Sequence, residues 1–258
     1  MLGASRASST REYQVIDVSN AQQDDSFIDG NWSYHVVPGT VYIVMELFGS
    51  GGAGGHGDST GMFAGQAGQG GGSGGYVRHK YASDDLKPND IIKFSVGETT
   101  TSSSCISLRG GCDGESTYPY RHYESDGITE KYIFHEITAG GGHGGINGGA
   151  LDLEHTWGTG GKASGGNEEN IEGGIAGPRP GDGMYTGTGS NGGDAPMQVE
   201  GGLSYGGLGG AGGTGATSGG NGGIAAGGGG GGGFGTVTAP PFSGGHGAMG
   251  NVIIKAYG

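Results

Sequence analysis

Hydrophobic residues in this chain fall in short alternating runs, divided by turn residues and by long stretches that carry almost none. Trp32, Tyr34 and Val36 alternate ahead of a Pro38-Gly39 turn, and a longer run, Thr40 to Phe48, follows. In that run Val41, Ile43, Met45 and Leu47 share one face, and Tyr42, Val44, Glu46 and Phe48 share the other. Both faces are mostly apolar, which predicts a strand covered on both sides at the centre of a sheet. GYVRHKYA at 75–82 and IIKFSVGE at 91–98 read as two further strands, with the Lys-Pro-Asn-Asp turn between them joining a meander. CISLRGG at 105–111 gives another short strand. KYIFHEIT at 131–138 sets Tyr132, Phe134 and Glu136 against Ile133, His135 and Ile137. The chain closes on GNVIIKAYG, whose Val252, Ile253 and Ile254 need a sheet to join, and the strands before residue 139 are its natural partners. Near the start, Tyr13, Val15, Ile16 and Val18 make one short strand in a polar segment with acidic residues Asp24, Asp25 and Asp29.

Between these runs lies glycine, 69 residues of 258. It gathers in doublets followed by one other residue, as in GGLGGAGGT at 206–214. That period of three matches the polyproline II pitch and neither the 3.6 of an α-helix nor the 2 of a strand. Order is entropically expensive for glycine. A bundle of polyglycine II helices offsets that cost through the backbone, because outward N–H and C=O groups satisfy those of neighbouring helices when no side chain separates them. A flexible linker needs no triplet phase and favours serine as the partner of glycine. The segments between these runs are bulky instead: LDLEHTW, IAGPRPGDGMYT, APMQVE and TVTAPPF. The phasing therefore favours order, with the Gly227–Gly233 run buried on all sides.

The expected fold class is all-β: a β-sandwich or jelly-roll-like sheet with an inserted bundle of polyglycine II helices and little or no α-helix. Its parts are an N-terminal arm or docking segment at 1–35, a β-rich region at 36–138 holding a first glycine-rich insertion at 49–75, the bundle with its loops at 139–247, and the closing strand at 248–258.

Composition narrows the function. The formal net charge of −13 argues against nucleic acid, which needs a basic groove. No apolar run approaches the ~20 residues that cross a bilayer, so membrane insertion is not expected. No apolar leader precedes the polar N-terminal segment, so no signal peptide is expected. Cys105 and Cys112 could close a hairpin disulfide; two unbridged small residues is the plainer reading, since their spacing matches no metal motif.

ELFGSGGAGG, GGSGGYVRHKY, IIKFSVGE, the triplets and GHGAMGNVIIKAYG, in that order over about residues 36–258, resemble the glycine-rich domain of bacteriophage tail-fibre and tail-tip proteins. The polyglycine bundle is also similar to that of the distal long-tail-fibre adhesins. The resemblance implies a virion protein, made in the host cytoplasm and released by lysis. It further implies attachment to other virion proteins through the N-terminal arm, a homotrimer, and binding of a host surface glycan or outer-membrane protein by the loops. Residues 1–35 do not resemble the fibre-attachment domain of those adhesins. A capsid or tail decoration (cement) protein is the alternative, and an ice-binding protein a remoter one.

No catalytic motif occurs, so no enzyme activity and no cofactor are expected. Tyrosine and arginine are enriched at binding hot spots, which singles out Tyr118, Tyr120, Arg121, His122 and Tyr123. The plainer alternative is a long β-connection whose tyrosines cap the sheet. Trp157, Arg179, Tyr185, Met197, Tyr205 and Phe242 are receptor-binding candidates in the bundle loops. Gly-Gly-His-Gly recurs around His56, His143 and His246, which could converge on a metal. The plainer reading is that each histidine fills a third position of the triplet repeat.

Overall fold

The computed structural model describes residues 12–17, 31–57, 67–82, 86–98, 110–134, 136–148, 157–177, 191–196, 198–200, 203–205, 208–213, 218–223, 227–231 and 243–258. The fold is all-β with antiparallel strand pairing, and no α-helix occurs among the described residues. The strands are β1 (Glu12–Asp17), β2 (Asn31–His35), β3 (Tyr42–Phe48), β4 (Tyr76–Ala82), β5 (Ile91–Ser95), β6 (Tyr118–Tyr123), β7 (Glu130–Ile133), β8 (Thr138–Ala139), β9 (Ala163–Ser164), β10 (Glu169–Ile171), β11 (Gln198–Glu200), β12 (Leu203–Tyr205) and β13 (Asn251–Tyr257).

A five-stranded sheet runs β1-β13-β3-β4-β10 and a four-stranded sheet runs β2-β5-β6-β7; β8-β9 and β11-β12 are small two-stranded sheets. The two larger sheets share one core. Ile43, Met45, Leu47, Val77, Val252 and Ile254 from the first pack with Tyr34, Ile92 and Phe94 from the second, joined by Val36, Val96 and Phe134. This is the expected sandwich. The doubly apolar β3 is central, between β13 and β4. Its second face places Phe48 in another cluster with Tyr76, Ile253 and Ala195. Glu46, also on that face, is buried and held by Lys255 Nζ at 3.0 Å. Burial holds the Tyr76 hydroxyl well above its usual range, and the Glu46 carboxylate pushes the same way.

The meander expected of 75–98 is not formed. β4 pairs with β3 and β10, whereas β5 pairs with β2 and β6 in the other sheet. Residues 86–90 instead carry the chain from one layer to the other, through a turn with Asn89 at φ 67° and Asp90 Oδ2 accepting from the Lys87 N–H at 2.8 Å. Turn chemistry specifies a reversal but not the sheet that receives the next strand. Two pieces of the expected arm also belong to the sheets: β1 pairs with β13, and β2 with β5. Residues 105–109 of the expected CISLRGG strand lie outside the described residues. Cys112 is disulfide-bonded, which corrects the unbridged reading; the chain's other cysteine, Cys105, lies outside the described residues.

The glycine segments are joined by backbone hydrogen bonds whose partner changes at every residue and recurs every third. Gly49, Gly52 and Gly55 donate to Gly75, Gly72 and Gln69. Ser50 and Ala53 donate to Glu115 and Cys112, and Gly51 and Gly54 to Ala248 and Gly245. The pattern repeats elsewhere: Gln69, Gly72 and Gly75 donate to Ile146, His143 and Gly140. Segments 49–57 and 67–75 therefore form one body with those beyond residue 139, and residues 110–117 belong to it as well.

Its interior is the run Gly227–Gly231, which is buried throughout. Gly228, Gly229 and Gly230 donate to Gly193, Gly52 and Gly220, each on a different segment. The run accepts from Gly71, from Gly210 and Gly213, and from Gly245 and Ala248, on three more segments. Six neighbours surround it, three as acceptors and three as donors. Among the described residues, positive φ occurs at only four glycines, Gly39, Gly127, Gly158 and Gly165. Crowding rather than dihedral angle thus demands glycine in the interior. A methyl group built on Gly229 would overlap the Gly245 carbonyl, and one on Gly71 the Gly52 carbonyl.

Residues that interrupt the doublets close the surface of this body. Asn147, Asn191, Asn221, Asp113 and Asp194 each turn Oδ1 to accept a backbone N–H from an adjacent segment: His56, Gly212, His246, Gly144 and Gly209, at 2.7–3.0 Å. These bonds supply acceptors to amides at the edge that no carbonyl reaches, a recurrent use of asparagine and aspartate that the triplet pattern left unspecified.

Candidate binding surface

β6 and β7 place an aromatic and basic patch on the outer side of the four-stranded sheet. Tyr118 is exposed, and its ring meets that of Tyr120 edge to face, centroids 6.5 Å apart. Arg121 is exposed and is held by two contacts on one nitrogen: Nη1 donates to the Tyr123 hydroxyl at 3.2 Å and lies 3.1 Å from Glu130 Oε2. Lys93, the register partner of Arg121 on β5, sets its ammonium over the Tyr123 ring, 4.7 Å from the centroid. A bulge between Lys93 and Phe94 shifts the β5–β6 register here, which re-aims the tyrosines at 118 and 120 relative to Arg121. Burial raises the Tyr120 hydroxyl above its usual range. The sequence thus located four residues that the fold does bring together: Tyr118, Tyr120, Arg121 and Tyr123. It missed Lys93 and Glu130, which become neighbours only through strand pairing. Residues 118–123 form a paired strand of the sheet and not a connection between strands.

His122 does not join this patch. It is fully buried, with Nε2 3.0 Å from Asp90 Oδ2 and Nδ1 3.1 Å from the Tyr81 hydroxyl. Lys131 Nζ donates to the same Asp90 oxygen at 2.7 Å. Burial by itself would raise the Asp90 carboxyl; bonds from Lys131, the Lys87 N–H and His122 outweigh it and hold the group below its usual range. This chain of polar groups ties β4, the turn before β5, β6 and β7 together across the two layers. His122 is therefore corrected from a surface candidate to an internal fastening. Alternation alone offered no signal, since it sets His122 in phase with Tyr118 and Tyr120; the shifted β5–β6 register separates them.

The remaining candidates are dispersed. Trp157 is half-buried and lays its ring over Gly110, at the end of segment 110–117 remote from Tyr118. Tyr205 lies in β12, paired with Gln198. Arg179, Tyr185, Met197 and Phe242 lie outside the described residues. His56, His143 and His246 occupy three separate glycine segments, where their carbonyls accept from Gly148, Gly72 and Gly222. His143 Nδ1 sits 3.4 Å from Asp113 Oδ2. Among the described residues no group of three histidine, cysteine or acidic side chains is placed to hold a metal ion, so the three histidines do not converge.

A sheet pair closed by a terminal strand, with a hydrogen-bonded glycine body between its strands, defines a class built on repeated glycine. The family model described as a glycine-rich domain matches residues 26–257, and the chain belongs to that family. A search of curated proteins finds no match.

Proposed function

We propose that this chain is a bacteriophage virion component, of a tail fibre or tail tip, that binds a host surface receptor through side chains displayed on a rigid polyglycine scaffold. In this reading the glycine segments are polyglycine II helices. The three-residue cycling of hydrogen-bond partners supports that, because a threefold helix turns successive N–H groups to three different neighbours. The observation that carries the functional reading is the Tyr118, Tyr120, Arg121, Tyr123 patch on a paired sheet, since rigid presentation of tyrosine and arginine lowers the entropic cost of binding. Attachment to neighbouring virion proteins through residues 1–35, and a homotrimeric assembly, belong to the same proposal.

The test is binding of fluorescently labelled, purified chain to cells of the bacterium that the parent particle infects. Saturable binding, reduced at least about tenfold by the triple change Tyr118→Ala, Tyr120→Ala, Arg121→Ala, is the expected result; a tenfold loss corresponds to about 1.4 kcal/mol, within reach of one hot-spot contact. Binding to particles but not to cells would replace this reading with that of a decoration protein.

A further inference from the structure

Lys93 and Arg121 are direct register partners on adjacent antiparallel strands. Like charges in directly opposite positions destabilise a sheet. The arrangement is unexpected in a chain with 25 acidic and 12 basic residues, where a carboxylate at either position would remove the repulsion. Among the described residues one acid, Glu130, forms an ion pair with either of the two, and its partner is Arg121. Lys93 forms no ion pair among the described residues; its charge rests on the Tyr123 ring. Both described contacts of Arg121 engage Nη1. Among the described residues nothing bonds to Nη2 or Nε, the side of the guanidinium that grips a carboxylate or phosphate with two parallel bonds. Beside this unbalanced charge stand the rings of Tyr118, Tyr120 and Tyr123, an amphipathic surface of the kind that stacks on sugar rings.

We propose that this face binds an anionic saccharide, its acidic group taken between Lys93 and Arg121 and its sugar rings laid against the three tyrosines. Glu130 competes with the ligand for Arg121, and so restrains affinity while holding the guanidinium in place when no ligand is bound. The proposal rests on the receptor-binding reading above and narrows it to one ligand chemistry and one face.

The experiment measures binding of the full purified chain to a panel of length-matched neutral, carboxylated and phosphorylated oligosaccharides, at low and physiological salt. Carboxylated or phosphorylated members should bind, their neutral counterparts at least about tenfold more weakly, and the affinity should fall as salt rises. Lys93→Gln and Arg121→Gln should each weaken binding by about tenfold, whereas Glu130→Gln should strengthen it severalfold. That opposed pair of effects is one that misfolding does not produce. Equal, salt-independent binding of neutral and acidic members would overturn the anionic assignment and leave the adhesin reading standing. The same holds for cell binding without any binding to the panel. Absence of binding to both cells and saccharides would overturn the two together.

Discussion

Replacing Gly229 with alanine is expected to cost on the order of 3–5 kcal/mol of stability, the sum of overpacking against rigid backbone and the loss of one or two hydrogen bonds. The added methyl would run into the carbonyl of Gly245, with the His246 oxygen 2.8 Å away. Neither is a side chain that can swing aside. Gly229 also donates to Gly52 at 2.9 Å and accepts from Gly71 at 2.7 Å, so a shift to relieve the overlap breaks bonds to two further segments. Gly220→Ala provides the contrast. There the nearest atoms to the new methyl are those of Ala211, at 3.1 Å and beyond. Its crowding is mild, and alanine's smaller unfolded-state entropy works in the opposite direction by about 0.4–1 kcal/mol. Urea unfolding of the two variants checks the comparison: a large loss for Gly229→Ala and a change within about 1 kcal/mol for Gly220→Ala. Equal, small effects would mean that glycine is present for flexibility and not for close approach.

The second large effect is expected at the ion pair on the covered face of β3. Lys255→Met removes the ammonium that lies 3.0 Å from Glu46 Oε1. Glu46 is 2% exposed, and its second oxygen, Oε2, makes no hydrogen bond among the described residues. Arg78 approaches only to 3.9 Å and is engaged by Glu168 at 2.9 Å. An abandoned buried carboxylate costs about 3–5 kcal/mol, whereas exchanging both partners for apolar residues is often near neutral. Lys255→Met should therefore be strongly destabilising, and the double change Glu46→Leu, Lys255→Met should recover most of the loss in the same unfolding measurement. A double variant as unstable as the single one would show that the pair itself, rather than the charge left behind, holds β13 against β3.

The parts of the fold that were legible are those fixed by local pattern. Both faces of 41–48 read as apolar, and β3 is buried on both from Ile43 to Phe48, although Val41 ahead of it is exposed. GNVIIKAYG carried more apolar mass than a free end requires, and β13 lies between β1 and β3. The triplet period of the glycine runs matches hydrogen-bond partners that recur every third residue, and of the Gly227–Gly233 run expected to be buried, the described residues Gly227–Gly231 are. What escaped depends on long-range pairing. The Lys-Pro-Asn-Asp turn gave no sign that β4 and β5 enter different sheets. Glu46 and Lys255 meet across 209 positions of sequence, and Lys93 faces Arg121 only once β5 and β6 are in register. His122 looked like part of an exposed tyrosine cluster because its true partners, Asp90, Tyr81 and Lys131, come from three other elements. At the candidate surface, composition picked out the tyrosines and Arg121, while the charge arrangement that suggests a ligand class required the sheet.

Hydrogen bonds between their backbones hold the glycine segments in order. Amide hydrogen exchange, resolved by residue, tests it most directly, since exchange reports the opening of individual bonds. The N–H groups of Gly52, Gly72, Gly229 and Gly230, all donors to neighbouring segments, should exchange as slowly as those of Val44 and Ile254 in the central strands. The amide of Ile175, an exposed residue between the donors Gly174 and Ala176 at the edge of the same body, should exchange faster. Exchange of all these glycines at the rate of an unstructured peptide, with β3 and β13 still protected, would contradict it.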